Sequence, residues 1–128
     1  MNKKDLSAEI IRISGGSPEK CMRCGKCTGA CPAFDDMEVH PHQFATMIRE
    51  GRVEELAAKK GLYNCMSCFA CSERCPRSVE PARLIEAVRV YALRQSGGNH
   101  LAADDVPGLL DEALPQQAIT SALRKYAK

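Results

Sequence analysis

Tryptophan is missing from this chain of 128 residues, and phenylalanine and tyrosine occur three times each. A core without large aromatic side chains must be built from small and aliphatic ones, a modest resource at this length. Something besides apolar burial is then expected to hold the chain together. Excess charge is missing too: the formal net charge is +2, and the lysines and arginines are scattered among acidic residues. That distribution argues against a nucleic-acid groove or a polybasic membrane patch. No apolar run approaches the roughly 18 to 20 residues that a bilayer span requires, so no membrane insertion is expected. The N-terminal MNKKDLSAEIIRISGG meets Asp5 and Glu9 before any uninterrupted apolar stretch and offers no small-residue cleavage site, so it does not read as a signal peptide. A soluble, cytoplasmic protein is the expectation, with its thiols kept reduced. Also absent are a nucleotide-binding glycine fingerprint, a Ser-His-Asp pattern and a lone C-x-x-C. These absences leave no substrate site, and the chain is not expected to be an enzyme by itself.

What is present is cysteine, and it is all in two places. The chain reads CMRCGKCTGACP from Cys21 to Pro32 and CMSCFACSERCP from Cys65 to Pro76, and these runs hold all eight cysteines. Disulfide frameworks persist in oxidising compartments and spread their cysteines to staple distant loops. A four-thiolate zinc site draws two ligands from each of two knuckles. Each run here is instead C-x2-C-x2-C-x3-C-P, the run of bacterial two-cluster ferredoxins, in which the fourth cysteine ligates the other cluster. That resemblance implies two 4Fe-4S clusters. One would be held by Cys21, Cys24, Cys27 and Cys75, the other by Cys65, Cys68, Cys71 and Cys31. Metal binding and folding would then be one event, and two oxidised cubanes of about two negative charges each would take the formal +2 to about −2.

Other residues of the runs carry weaker signals. Gly25 and Gly29 are expected to allow close backbone approach to inorganic sulfide. Arg23, Lys26, Arg74 and Arg77 sit beside the cysteines; they either raise the reduction potential or are solvated and docking charges, and the sequence leaves both readings open. Met22 and Met66 occupy matching positions and are expected to shield the clusters from water. Pro32 and Pro76 are expected to redirect the backbone. His40 and His42, flanking Pro41, read as cap or surface residues rather than ligands, and His100 carries no signal.

The repeat extends beyond the cysteines. PHQFATMIR from Pro41 and PARLIEAVR from Pro81 match at Phe44 and Leu84, Ile48 and Val88, and Arg49 and Arg89. Proline at the start with apolar residues four apart predicts two amphipathic helices. The first is expected to stop near Gly51, followed by a short helix in RVEELAAKKG closed by Gly61, and the later one to run from Pro81 to Gln95 and close at Gly97. No stretch alternates like a strand. The expected fold is all-α, two cysteine loops plus helices in an approximate internal duplication around two clusters.

With CxRCGxCTxxCP, the Met47-Ile48-Arg49 helix with Gly51, YNCMSCFACSERCP and VEPARLIEAVR in view, the chain resembles the HdrC family, the C subunits of heterodisulfide reductases, from about Cys21 to Gln95. The helical-ferredoxin domains of succinate dehydrogenase, fumarate reductase and glycolate oxidase iron-sulfur subunits share the cysteine logic. This chain carries neither the plant-type 2Fe-2S domain nor the CCG domain found with those, and is expected to stand alone. The resemblance implies an electron relay within a hetero-oligomer, passing electrons between an HdrA-like flavoprotein and an HdrB-like CCG-domain partner. A free two-cluster ferredoxin, the iron-sulfur subunit of another dehydrogenase and a redox sensor are the competing readings. Near-neutral charge and tails at both ends favour the fixed complex.

The division expected is an N-terminal tail or helix over 1–17, a two-cluster domain over 18–97 and a docking tail over 98–128. In that tail Pro107 and Pro115 interrupt short apolar groups before Ile119, Leu123 and Tyr126 fall at helical spacing. The stripe either folds back on the cluster domain or docks in a partner's groove. Leu6, Ile10, Ile11 and Ile13 pose the same choice at the other end.

Overall fold

The computed structural model describes residues 2–94, 108, 111, 113 and 115–126, the side chains of Ala122, Leu123, Lys125 and Tyr126 apart. Among the described residues every regular element is helical and there is no strand. The chain divides into two compact units, Met1–Leu93 and Arg94–Lys128.

In the first unit, α1 (Lys3–Ser14) buries Leu6, Ser7, Ile10 and Ser14. Leu6, Ile10 and Ser14 stand four residues apart, so they form one stripe. Asp5 in the first turn and Arg12 in the last suit the helix dipole. Gly15, in the left-handed region at φ 62°, ends the helix by donating to the Ile11 carbonyl. Ser7 Oγ donates to the Ile48 carbonyl at 2.6 Å, joining α1 to the helix Pro41–Arg49. The choice left open by the N-terminal hydrophobics is thereby resolved residue by residue. Leu6 and Ile10 belong to the main core, Ile11 is packed against it, and Ile13 stays exposed.

The duplicated helices are α3 (Pro41–Arg49) and α6 (Pro81–Leu93), each with proline in its first turn. Phe44, Ala45 and Ile48 of α3, and Leu84, Ile85 and Val88 of α6, are all buried. Helices α1, α3 and α4 (Val53–Ala57) all pack on α6, which is the central element of the unit. Each fully buried aliphatic or aromatic side chain stabilises the fold by about 1.5–3 kcal/mol, and among the described residues Phe44 is the one aromatic in the buried core.

The expectation of a helix closed by Gly61 needs correction. Helix α4 stops at Ala57, capped by Ala58, and residues Lys60–Asn64 form a separate 3-10 turn containing Gly61. Gly61 serves a close approach instead: a Cβ there would lie 2.8 Å from the backbone nitrogen of Glu38. No room exists for a side chain between these two segments. The end of α3 is as expected, with Gly51 left-handed at φ 77°. Helix α6 ends at Leu93, and Gln95 and Gly97 lie outside the described residues.

In the second unit, the helix Gln116–Tyr126, here α7, starts with Ala118 donating to the Pro115 carbonyl. Ile119 is half-buried; Pro107 and the side chains of Leu123 and Tyr126 lie outside the described residues. No described helix is long and apolar enough to cross a membrane.

Candidate metal centres

The two cysteine runs fold into the same local structure. A 3-10 turn, Pro18–Lys20 in one case and Lys60–Asn64 in the other, delivers the chain to Cys21 (φ −65°, ψ 120°) and Cys65 (φ −66°, ψ 118°). Within the loops, Arg23 and Ser67 are left-handed at φ 56° and 54°, as are Gly25 and Phe69 at 75° and 62°. The short helices α2 (Lys26–Gly29) and α5 (Ala70–Glu73) follow at once. Left-handed backbone is costly for residues bearing a Cβ and clusters at functional sites. Every described non-glycine residue with positive φ lies within or just after these runs: Arg23, Ser67, Phe69, Ser78 and Glu80.

These left-handed turns leave backbone donors without protein partners. Among the described residues, none of the N–H groups of Met22, Arg23, Cys24 and Gly25, nor of Met66, Ser67, Cys68 and Phe69, donates to a protein acceptor. Two runs of free donors in such turns form anion-binding concavities. The sulfur of Cys75 already accepts one backbone bond, from Val79 N–H at 3.4 Å.

The fourth cysteine of each run leaves its own loop. Cys21, Cys24, Cys27 and Cys75 line one cavity, with about 360 Å³ of atom-free space, part of it open to solvent. Cys31, Cys65, Cys68 and Cys71 line a second, of about 340 Å³, also partly open to solvent. Pro41 lines both. In each, the third cysteine (Cys27, Cys71) is buried and the second (Cys24, Cys68) is exposed. All eight are free thiols. Among the described residues no group of His, Cys, Asp or Glu converges closely enough to hold a single metal ion. Four thiols spread around a space suit a multi-atom cluster, whereas zinc draws its thiolates to about 2.3 Å from one point. The donor set and the free amides therefore fit an iron-sulfur cubane.

Burial pushes the Cys71 thiol up to about 11 and the Cys27 thiol up as well. In the bare chain these two thiols stay protonated at neutral pH, so loading iron releases protons.

Several supporting residues escaped the sequence reading. Thr28 Oγ1 accepts the His42 N–H at 3.4 Å, and Ser72 Oγ accepts the Ala82 N–H at 3.2 Å. Each hydroxyl thus ties a cysteine-bearing turn to the first turn of α3 or α6. A hydroxyl after the third cysteine of both runs was the available signal. Thr28 Oγ1 also lies 2.6 Å from His42 Nδ1. The His42 imidazole lines the first cavity, and its pKa is lowered by burial first and then by His40 and Arg23. His40 stacks on Phe34 with ring centroids 4.3 Å apart, and its backbone N–H donates to Gln43 Oε1 at 2.8 Å.

Other expectations fare unevenly. Gly25 uses its freedom at φ 75°, whereas Gly29 sits in α2 with no positive φ and nothing near its missing Cβ. Met22 and Met66 line the cavities but are 53% and 63% exposed, so they cover the rims only partly. Of the four basic residues, Arg23 and Arg77 line the first cavity, and Lys26 and Arg74 line neither.

Arg89 is the largest omission. Its guanidinium donates to the Leu62 carbonyl at 2.9 Å, Ser67 Oγ at 3.1 Å, the Glu86 carboxylate at 3.0 Å and the Cys65 carbonyl. It thereby fastens the second cysteine loop to α6. Its counterpart Arg49 is exposed. Arg89→Met is expected to cost about 1.5–3 kcal/mol, the range for hydrogen bonds to charged groups, and to speed iron loss to a chelator. Arg49→Met should change neither. Thermal melting and chelator kinetics on both variants check this, and equal behaviour would refute it.

The family model for the 4Fe-4S dicluster domain matches residues 17–79. The C subunit of the H(2):CoB-CoM heterodisulfide,ferredoxin reductase of Methanothermobacter thermautotrophicus is 33% identical over 91 residues, 71% of this chain and 49% of that protein. The iron-sulfur C subunit of the CoB--CoM heterodisulfide reductase of Methanopyrus kandleri is 32% identical over 79 residues, 62% of this chain and 41% of the relative. The C subunit of the ferredoxin:CoB-CoM heterodisulfide reductase of Methanosarcina acetivorans is 29% identical over 93 residues, 69% and 37% of the two chains. The chain spans about half the length, or less, of these curated relatives.

Proposed function

We propose, from the premise that this chain is a homologue of the iron-sulfur C subunits of heterodisulfide reductases and carries a two-cluster 4Fe-4S domain, that it relays electrons between an HdrA-like flavoprotein and an HdrB-like CCG-domain partner. One 4Fe-4S cluster is held by Cys21, Cys24, Cys27 and Cys75, and the other by Cys31, Cys65, Cys68 and Cys71. The observation that carries this reading is the pair of four-thiol cavities, each completed by the other run's last cysteine and sharing Pro41 as a wall. When bound, the clusters supply one-electron acceptors and donors. The chain's own residues hold them, aim free amides at them and leave Cys24 and Cys68 at the surface, where an electron can pass to a neighbour. The tail from residue 98 serves assembly, and the complex works in the cytoplasm.

The test is made on anaerobically prepared full chain. It should contain about eight iron and eight sulfide, accept electrons from dithionite and fail to reduce a disulfide alone. Adding the CCG-domain partner should restore turnover, and adding the flavoprotein should connect it to a physiological donor. Deleting the chain from Leu101 onward should keep all the iron, since every cysteine precedes that point, yet weaken capture of both partners in pull-down. Undiminished capture would remove the docking role of the tail; stoichiometric zinc without iron would end the reading as a whole.

A further inference from the structure

The duplication makes the two cavities comparable position by position, and they differ in charge. The first is lined by Arg23, Arg77 and His42 and by no carboxylate. The second is lined by no charged residue. Along the repeat, Arg23 corresponds to Ser67, Arg77 to Ala33 and His42 to Ala82, so each basic or titratable residue of one site faces a neutral counterpart in the other. Both arginines are exposed and, among the described residues, neither is paired with a carboxylate. The cation behind the second loop, Arg89, is different: it is matched by Glu86 at 3.0 Å.

An added electron makes a thiolate-bound cluster more negative, and unpaired positive charge beside it stabilises that state. On the ligand assignment proposed above, on which this step rests, we infer that the site of Cys21, Cys24, Cys27 and Cys75 has the higher reduction potential, Arg23 and Arg77 acting as its tuning residues. One electron leaving the Cys31, Cys65, Cys68, Cys71 site then enters the first site downhill, with no proton or group transferred. The relay has a built-in direction, in at the apolar rim of Met66 and Phe69 and out at the basic rim of Arg23 and Arg77.

The experiment is a redox titration of the reconstituted full chain followed by electron paramagnetic resonance, with iron and sulfide measured on the same sample. Two transitions are expected. Cys24→Ser should alter the higher one and Cys68→Ser the lower one. Arg23→Ser with Arg77→Ala should lower the higher transition alone and narrow the gap, and Arg23→Lys with Arg77→Lys should restore it, because charge rather than shape sets the effect. A higher transition that follows Cys68→Ser, or a gap indifferent to the arginine pair, overturns the inference, while Cys31→Ser and Cys75→Ser, each striking the opposite loop's cluster, keep the ligand assignment standing. A single cluster's worth of iron in the unaltered chain overturns both.

Discussion

Replacing Cys31 with serine is expected to damage the cluster bounded by Cys65, Cys68 and Cys71 and to leave the one beside its own loop intact. Cys75→Ser should do the reverse, striking the site of Cys21, Cys24 and Cys27. The reason is where the structure puts these two thiols: Cys31 lines the second cavity and Cys75 the first. Each follows a short helix ending in a turn, with Cys31 N–H donating to the Thr28 carbonyl at 3.1 Å and Cys75 N–H to the Ser72 carbonyl at 3.2 Å. That turn carries the fourth cysteine out of its loop. Iron should fall from about eight to about four per chain if serine fails to hold its cubane. Where serine does substitute as ligand, the signal of the opposite loop's cluster should shift. Iron analysis together with spectroscopy of both single variants checks the crossing. Damage confined to each mutated run's own loop would mean that the halves are independent.

Stripping iron with a chelator and an oxidant is expected to abolish cooperative folding of residues 2–93. Cys21, Cys31, Cys65 and Cys75 pack against the main apolar core, so the metal sites and the core share a boundary. Without iron, two loops with left-handed residues and free amides are held by few bonds of their own, and the strain is no longer offset. On the proposed ligand assignment each cluster joins the first half of the chain to the second, so removing both would release two long-range closures at once. Circular dichroism at increasing temperature should show a broad, early loss of helix in the stripped chain against a sharp transition in the loaded one. An unchanged midpoint would mean that the aliphatic core around α6 suffices alone.

The fold class could be read from the sequence because its signals are local. Proline followed by apolar residues at helical spacing marks α3 and α6 wherever they pack, and the duplicated cysteine spacing names the chemistry without any tertiary information. The buried faces of Phe44, Ile48, Leu84 and Val88 follow from that spacing. Gly61 marks the limit of such reasoning. Glycine after two lysines looks like a helix end, and the same residue is needed where two backbones touch, at Glu38; only tertiary contact separates the two uses.

Arg49 and Arg89 make the same point for function. They are equivalent in the repeat, but one is exposed while the other fastens the second cysteine loop, because only the second has Leu62, Cys65 and Ser67 within reach. By itself, then, the sequence determined an all-α duplicated chain with eight thiols in ferredoxin spacing, since spacing along a chain is enough to fix helical faces and the number of ligands. The resemblance to ferredoxin runs already implied which thiols belong together; tertiary structure alone decided that α1 completes the core, and that arginines with no carboxylate partner among the described residues line one site and not the other. Those facts depend on segments far apart in sequence meeting in space, and no local pattern encodes them.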